Sequence, residues 1–97
     1  MGTLRAIVIH REDNVATTLH PLIAGMKISV EVQGQIRNIE LLSDIPAGHK
    51  FALRDMEEGA LVIKYGEAIG QTTAKINRGE HVHVHNVVSP SLARGSR

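Results

Sequence analysis

The sequence predicts a mainly β domain of short strands with one short helix, and three patterns carry that expectation. Residues 27–33 alternate cleanly, with Ile28, Val30 and Val32 facing one way and Lys27, Ser29, Glu31 and Gln33 the other. A turn device of apolar residue, two residues, glycine recurs in Leu22-Ile23-Ala24-Gly25, Ile45-Pro46-Ala47-Gly48, Met56-Glu57-Glu58-Gly59 and Ile76-Asn77-Arg78-Gly79. Finally, Glu80-His81-Val82-His83-Val84-His85-Asn86 places a histidine at every second position, which is the period of a strand.

Taken in order, the chain opens on Leu4-Arg5-Ala6-Ile7-Val8-Ile9-His10, an apolar and β-branched run with the character of a strand buried on both faces, expected at the centre of a sheet. Asp13 then stands where a helix N-cap would, with Val15, Ala16 and Leu19 at helical spacing and Pro21 ending the pattern, so the short helix is placed there. The half-buried strand at 27–33 runs into Gln33-Gly34-Gln35, a tight turn, and a second strand through Ile39 and Leu41 closes a hairpin. Ile36 is out of phase with Ile39 and Leu41, so a bulge or the edge of the turn falls there.

In the second half the glycine device punctuates strands at 50–54, 61–64 and 81–87, with short pieces at 68–70 and 72–74. The intervals between the glycines are unequal, which makes this a recurring turn and not a solenoid repeat. In each copy the apolar residue anchors the turn in the core while glycine relieves the backbone before the next strand. The tail at 89–97 is polar and rich in breakers, and is expected to be disordered.

Composition narrows the functional classes. Ninety-seven residues make one domain, too small to enclose a sizeable active-site cavity by itself. With no cysteine there is neither a disulfide nor a thiolate ligand nor a Cys nucleophile. A formal net charge of +1 with acids and bases interspersed, and only one Phe, one Tyr and no Trp, gives no nucleic-acid signature. There is no signal-peptide pattern or membrane-length apolar run, so a cytoplasmic location is the expectation. No phosphate-binding glycine loop or Ser-His-Asp arrangement is present.

On an ideal strand, His81, His83 and His85 share one face while Val82 and Val84 point into the core. Neutral imidazole is a common ligand for transition metals, which invites a metal site; the alternative is a solvated face rich in histidine. Residues two apart lie roughly 6.5–7 Å apart and can converge on one ion, whereas the outer pair at about 13 Å cannot. Because a ligating imidazole must be neutral, occupancy is expected to fall below about pH 6–6.5.

Several segments together resemble a known family. Ile45-Pro46-Ala47-Gly48-His49-Lys50, then Val62-Ile63-Lys64-Tyr65-Gly66-Glu67 with Ile69-Gly70, then Gly79 through Asn86 are similar to the SAF domain of the altronate and galactarate dehydratases. Ile9-His10 with Asp13-Asn14-Val15-Ala16 resembles the start of that domain. The resemblance runs over about 4–88 and implies an SAF domain at 1–88 with the β-clip, or antifreeze-like, fold. It further implies a small subunit, or an amino-terminal domain, of a sugar-acid hydro-lyase whose site is completed by a large catalytic subunit. Related two-subunit enzymes instead eliminate sulfite from sulfolactate.

The resemblance implies a divalent metal, Fe(II) or Mn(II), with His83, His85 and His10 as metal contacts. His49, Lys50, Lys64 and Asn86 follow as contacts to a small sugar-acid substrate, Asn86 as an orienting hydrogen-bond group, and no catalytic residue is assigned. For Lys50 and Lys64 the alternative is a solvated strand face, and for His10 and His49 a strand end and a surface loop. Tyr65 is read as packed over its turn, and Glu57 and Glu58 as a solvated turn. A homodimer is a further expectation, because an isolated domain leaves strand edges exposed. A non-catalytic binding or assembly module is the reading from a different class.

Overall fold

The computed structural model describes residues 5–8, as backbone, and 10–89. Among these it forms nine strands and no helix: β1 Arg5–Val8, β2 Val15–Thr17, β3 Lys27–Val32, β4 Gln35–Glu40, β5 Lys50–Ala52, β6 Leu61–Lys64, β7 Glu67–Thr72, β8 His81–Val82 and β9 Val87–Val88. They make three three-stranded sheets, ordered β1-β3-β4, β2-β5-β8 and β6-β7-β9. These small sheets, joined by glycine turns, are the β-clip architecture.

The glycine device is what joins the sheets. In all four copies the residue after glycine donates its N–H to the carbonyl three residues back, at 3.0–3.1 Å, and glycine has φ between +81° and +93°. That is a type II turn, whose third position favours glycine because a Cβ is strained there. The anchoring residues then pair in twos: Leu22 bridges Ile45 and Met56 bridges Ile76, each through two backbone hydrogen bonds of 2.7–2.8 Å. All four anchors are buried, so one local signal builds two matched crossings inside the domain.

The sheet β2-β5-β8 separates two cores. Successive residues of a strand face opposite sides, and here the alternation assigns each to a different cluster. Ala16, Phe51 and Leu53 join Ile28, Val30, Ile39, Leu41 and Ile45 in one. Val15, Ala52 and Val82 join Met56, Val62 and Ile76 in the other. Phe51, the chain's single phenylalanine, is fully buried.

Four sequence expectations are corrected. Residues 15–17 are a strand and not a helix: Val15 and Thr17 are β-branched, Val15 and Ala16 are both buried, and Leu19, which completed the helical spacing, is 81% exposed. β1 lies at the edge of its sheet, parallel to β3, and the alternating strand β3 takes the centre. β3 and β4 pair without a register shift, so Ile36 is an exposed residue of a regular hairpin, and the irregularity falls instead between Val62 and Ile63. The pieces at 68–70 and 72–74 are largely one strand, β7, ending at Thr72. Of the tail, residues 90–97 lie outside the described part.

Candidate functional site

β5 and β8 bring the histidines together. Gly48 closes its turn so that His49 stands immediately before β5, with its carbonyl accepting the N–H of Thr18 at 3.0 Å. β8 runs antiparallel to β5, pairing Phe51 with His81 and Lys50 with Val82, and this register continued by one residue sets His83 opposite His49. The imidazoles of His49 and His83 accordingly stack, with centroids 3.9 Å apart and planes 16° apart. His49 Nδ1 and His81 Nε2 are 2.8 Å apart, a hydrogen bond in which one of the two nitrogens bears the proton and the other accepts it.

The histidine run does not continue as a strand. After Val82 the chain turns through residues 83–86, and Asn86 closes the turn. Its Oδ1 accepts the N–H of His83 at 2.9 Å, its Nδ2 donates to the His81 carbonyl at 2.9 Å, and its own N–H donates to the His83 carbonyl at 3.0 Å. Two expectations fail with the strand. Val82 is 3% exposed as predicted, but Val84 is 80% exposed and not a core residue. His85 is folded back until its ring lies 5.0 Å from that of His81, so the spacing of a straight strand does not separate this pair.

The result is a corner of four imidazoles beside a lysine. Possible ligand atoms of His49, His81 and His83 all lie within 4.8 Å of one another. Burial first, then the neighbouring imidazoles of His85, His49 and His83, hold His81 below the usual histidine pKa. His83 is lowered too, first by desolvation and then by His49, Lys50 and His85. Both effects favour the neutral imidazole that a metal requires. The donor set therefore fits a divalent transition ion, although the three planes lie within 10–20° of one another and the rings must turn to aim at a common point. Next to the stack an open groove of about 300 Å³ is lined by Lys50, Val62, Ile69, Val82, His83 and Val87, among others.

Not every sequence candidate reaches this corner. His49, Lys50, His83, His85 and Asn86 do, with Asn86 acting on the backbone of its own turn. His10 and Lys64 belong to the β6–β7 hairpin: the His10 ring lies against Gly66, and Lys64 Nζ sits 4.0 Å over the Tyr65 ring. There Asp13, 3% exposed, accepts the N–H groups of Tyr65 and Gly66 at 3.0 and 2.9 Å. Asn14 Oδ1 accepts the N–H of Ile63 at 2.7 Å, and its Nδ2 donates to the Leu61 carbonyl at 2.9 Å. Asp13 and Asn14 thus cap a hairpin and not a helix. Of this trio, sequence reasoning named only His83 as a metal ligand; it gave His49 to the substrate and assigned His81 no contact. The signal was present, since His49 and His81 stand one and two residues after glycines of the same turn device.

Comparison with known proteins decides the family. The altronate/galactarate dehydratase SAF domain matches residues 4–90. The chain belongs to that family. This SAF domain is 47% identical over 83 residues to altronate dehydratase of Escherichia coli, covering 86% of this chain and 16% of the enzyme. It is 36% identical over 84 residues to galactarate dehydratase (L-threo-forming) of the same organism, covering 87% and 15%. It is also 40% identical over 84 residues to the (2R)-sulfolactate sulfo-lyase subunit alpha of Chromohalobacter salexigens, covering 82% of this chain and 89% of that subunit. The SAF domain thus spans about a sixth of the dehydratases and most of the sulfo-lyase subunit. Among the described residues no helix is long and apolar enough to cross a membrane.

Proposed function

We propose that this SAF domain is the small-subunit part, or the amino-terminal part, of a cytoplasmic sugar-acid hydro-lyase of the altronate or galactarate type, inactive by itself and completed by a large catalytic subunit. The observation that carries the reading is the histidine corner: four imidazoles and Lys50 gathered beside an open groove, on a domain whose relatives are dehydratases.

Eliminating water next to a carboxylate requires a base for the α proton, an acid for the leaving hydroxyl and stabilisation of the enediolate-like charge. A divalent ion, Fe(II) or Mn(II) in this reading, would supply that stabilisation when bound, with His83 and neighbouring imidazoles holding it from this side. Lys50 Nζ offers a compact cation to the substrate carboxylate at the groove. His49 stands at the same edge for a second contact, and Asn86 fixes the turn that presents His83 and His85. His10 and Lys64 enter at the neighbouring hairpin, where a partner surface lying across both would meet them.

A second reading has its own support: the match covers 89% of a sulfo-lyase subunit, against about a sixth of each dehydratase. In that case the leaving group is sulfite and the partner is the other sulfo-lyase subunit. The deciding experiment is turnover of altronate, galactarate and sulfolactate by this chain alone and with a candidate large subunit, with Fe(II) or Mn(II) supplied. Activity only in the mixture is the expected outcome, and the substrate consumed identifies the leaving group. A confirmed complex of folded proteins with no turnover would overturn both lyase readings in favour of a binding or assembly module.

A further inference from the structure

We infer that the chain by itself carries a nitrogen-only divalent-metal site made by His49, His81 and His83, which takes a borderline ion such as Zn(II), Ni(II) or Co(II) in preference to Mn(II). This deepens the metal-bearing role proposed for the histidine corner and rests on it only for the part the ion plays in turnover.

The nitrogens of such a site are already together. The three residues come from two segments that β5–β8 pairing fixes side by side, and their ligand atoms fall within 4.8 Å of one another. His49 Nδ1 and His81 Nε2 are 2.8 Å apart. Two nitrogens bound to one ion at about 2.0–2.1 Å stand roughly 2.9–3.4 Å apart in octahedral or tetrahedral geometry. The pair therefore opens by a few tenths of an ångström as the shared proton leaves, and both rings turn, because nitrogens that share a proton aim at each other while ligands of one ion aim at a point off that line. His83 lies stacked on His49 and joins by rotating its ring out of the stack, about a torsion that is broad for histidine. His85 is outside the group of three, and His10 lies at Gly66 on the neighbouring hairpin. The ligand set thus keeps His83 from the sequence reading and replaces His85 and His10 with His49 and His81.

Selectivity follows from the donors. No carboxylate belongs to the group among the described residues. Imidazole suits Zn, Ni, Cu and Fe, whereas Mn(II) relies more on oxygen donors and stands lowest in the first-row affinity order. Three protein ligands leave coordination positions open. Oxygen donors for those positions, from a sugar-acid carboxylate and hydroxyl or from a partner chain, are what a manganese or iron centre would add.

The test is titration of the purified chain at pH 7.5 with Zn(II), Co(II) and Mn(II), followed by calorimetry and, for Co(II), by visible d–d absorption. One ion per chain is expected, with Mn(II) bound at least about 100-fold more weakly than Zn(II). His49→Ala, His81→Ala and His83→Ala should each weaken Zn(II) by about tenfold or more, and His85→Ala and His10→Ala by less than about twofold. Since His81→Ala also alters β8, imidazole proton shifts of the unmutated chain on adding Zn(II) provide a second readout, expected to be largest at residues 49, 81 and 83 and smaller at His85, whose ring lies 5.0 Å from that of His81. Failure to bind one ion, dependence on His85 or His10, or Mn(II) bound as tightly as Zn(II) would overturn the inference. Turnover with a partner by a chain that binds no ion alone would sink this site and leave the lyase reading standing. Stoichiometric Co(II) binding without turnover would do the reverse.

Discussion

Two polar corners of this domain use their side chains to opposite ends. At the β6–β7 hairpin, Asp13 and Asn14 direct their oxygens at backbone N–H groups of Ile63, Tyr65 and Gly66, so their hydrogen-bonding capacity serves the fold. At the histidine corner, by contrast, the side chains meet one another: His49 bonds to His81 and stacks on His83, and His85 closes on His81. Polar groups paired to backbone hold the chain in place, whereas polar groups gathered on one another remain free to exchange a proton or a hydrogen bond for a ligand. The contrast separates a structural pair of residues from a chemical group of four, and it can be tested by substitution.

The largest effect belongs to the hairpin. The register shift between Val62 and Ile63 interrupts the ladder, and the Ile63 N–H is taken by Asn14 Oδ1. Asn14→Ala leaves that group without its acceptor and the Leu61 carbonyl without a donor, so a loss of about 2–4 kcal/mol in urea unfolding is expected. Asp13→Ala should come close behind, because Tyr65 sits at φ +56° and the carboxylate ties down its N–H. His83→Ala, tested in the same way, should change stability by less than about 0.5 kcal/mol, as removal of an exposed turn side chain does. Equal losses at both corners would erase the distinction.

That pair of corners also shows how far the sequence could be read. Spacing announced the glycine turns because each is closed within four residues, and clean alternation announced β3. What spacing could not announce was the partner of each turn: Leu22 meets Ile45 across 23 residues and Met56 meets Ile76 across 20. Asp13-Asn14 was misread for a related reason. A helix cap and a hairpin cap use the same chemistry, a short polar side chain taking a backbone N–H, and the N–H groups taken here lie 49–53 residues away. In the histidine run, period-two alternation was real only as far as Val82. Beyond it, the Asn86 side chain competes for the backbone groups of His81 and His83 and converts a strand into a turn. The candidate site was therefore legible in its residue types and only partly in its membership, since His49 and His81 meet through strand register.

A middle-sized effect is expected at Asn86. Asn86→Ala removes two hydrogen bonds from a solvent-facing turn, so the stability cost should be about 1 kcal/mol, below that of Asn14→Ala, because water can replace the lost partners. The ordering of His83 and His85 should suffer more. Nuclear Overhauser contacts between the rings of residues 81 and 85 would weaken in the variant while those between Tyr65 and Lys64 persist. Unchanged contacts at both places would show that the turn is held by something other than this side chain.

The smallest expected effect is on pH dependence. His81 and His83 bind protons less tightly in the folded chain than the roughly 6.5 of an unfolded histidine, through partial desolvation and neighbouring imidazoles. Above that pH both residues are neutral in either state and contribute no slope. As pH falls below about 6.5 the unfolded chain takes up these protons first, so it binds more protons than the folded one and stability declines with falling pH. Because the imidazoles oppose one another's protonation, His85→Ala should flatten this decline even though it deletes no hydrogen bond among the described contacts. Asn14→Ala should lower stability by the same amount across the pH range. Urea unfolding of both variants between pH 5 and 8 reads the difference. A pH slope unaltered by His85→Ala would mean that the corner is wet enough to screen His81 and His83 from that neighbour.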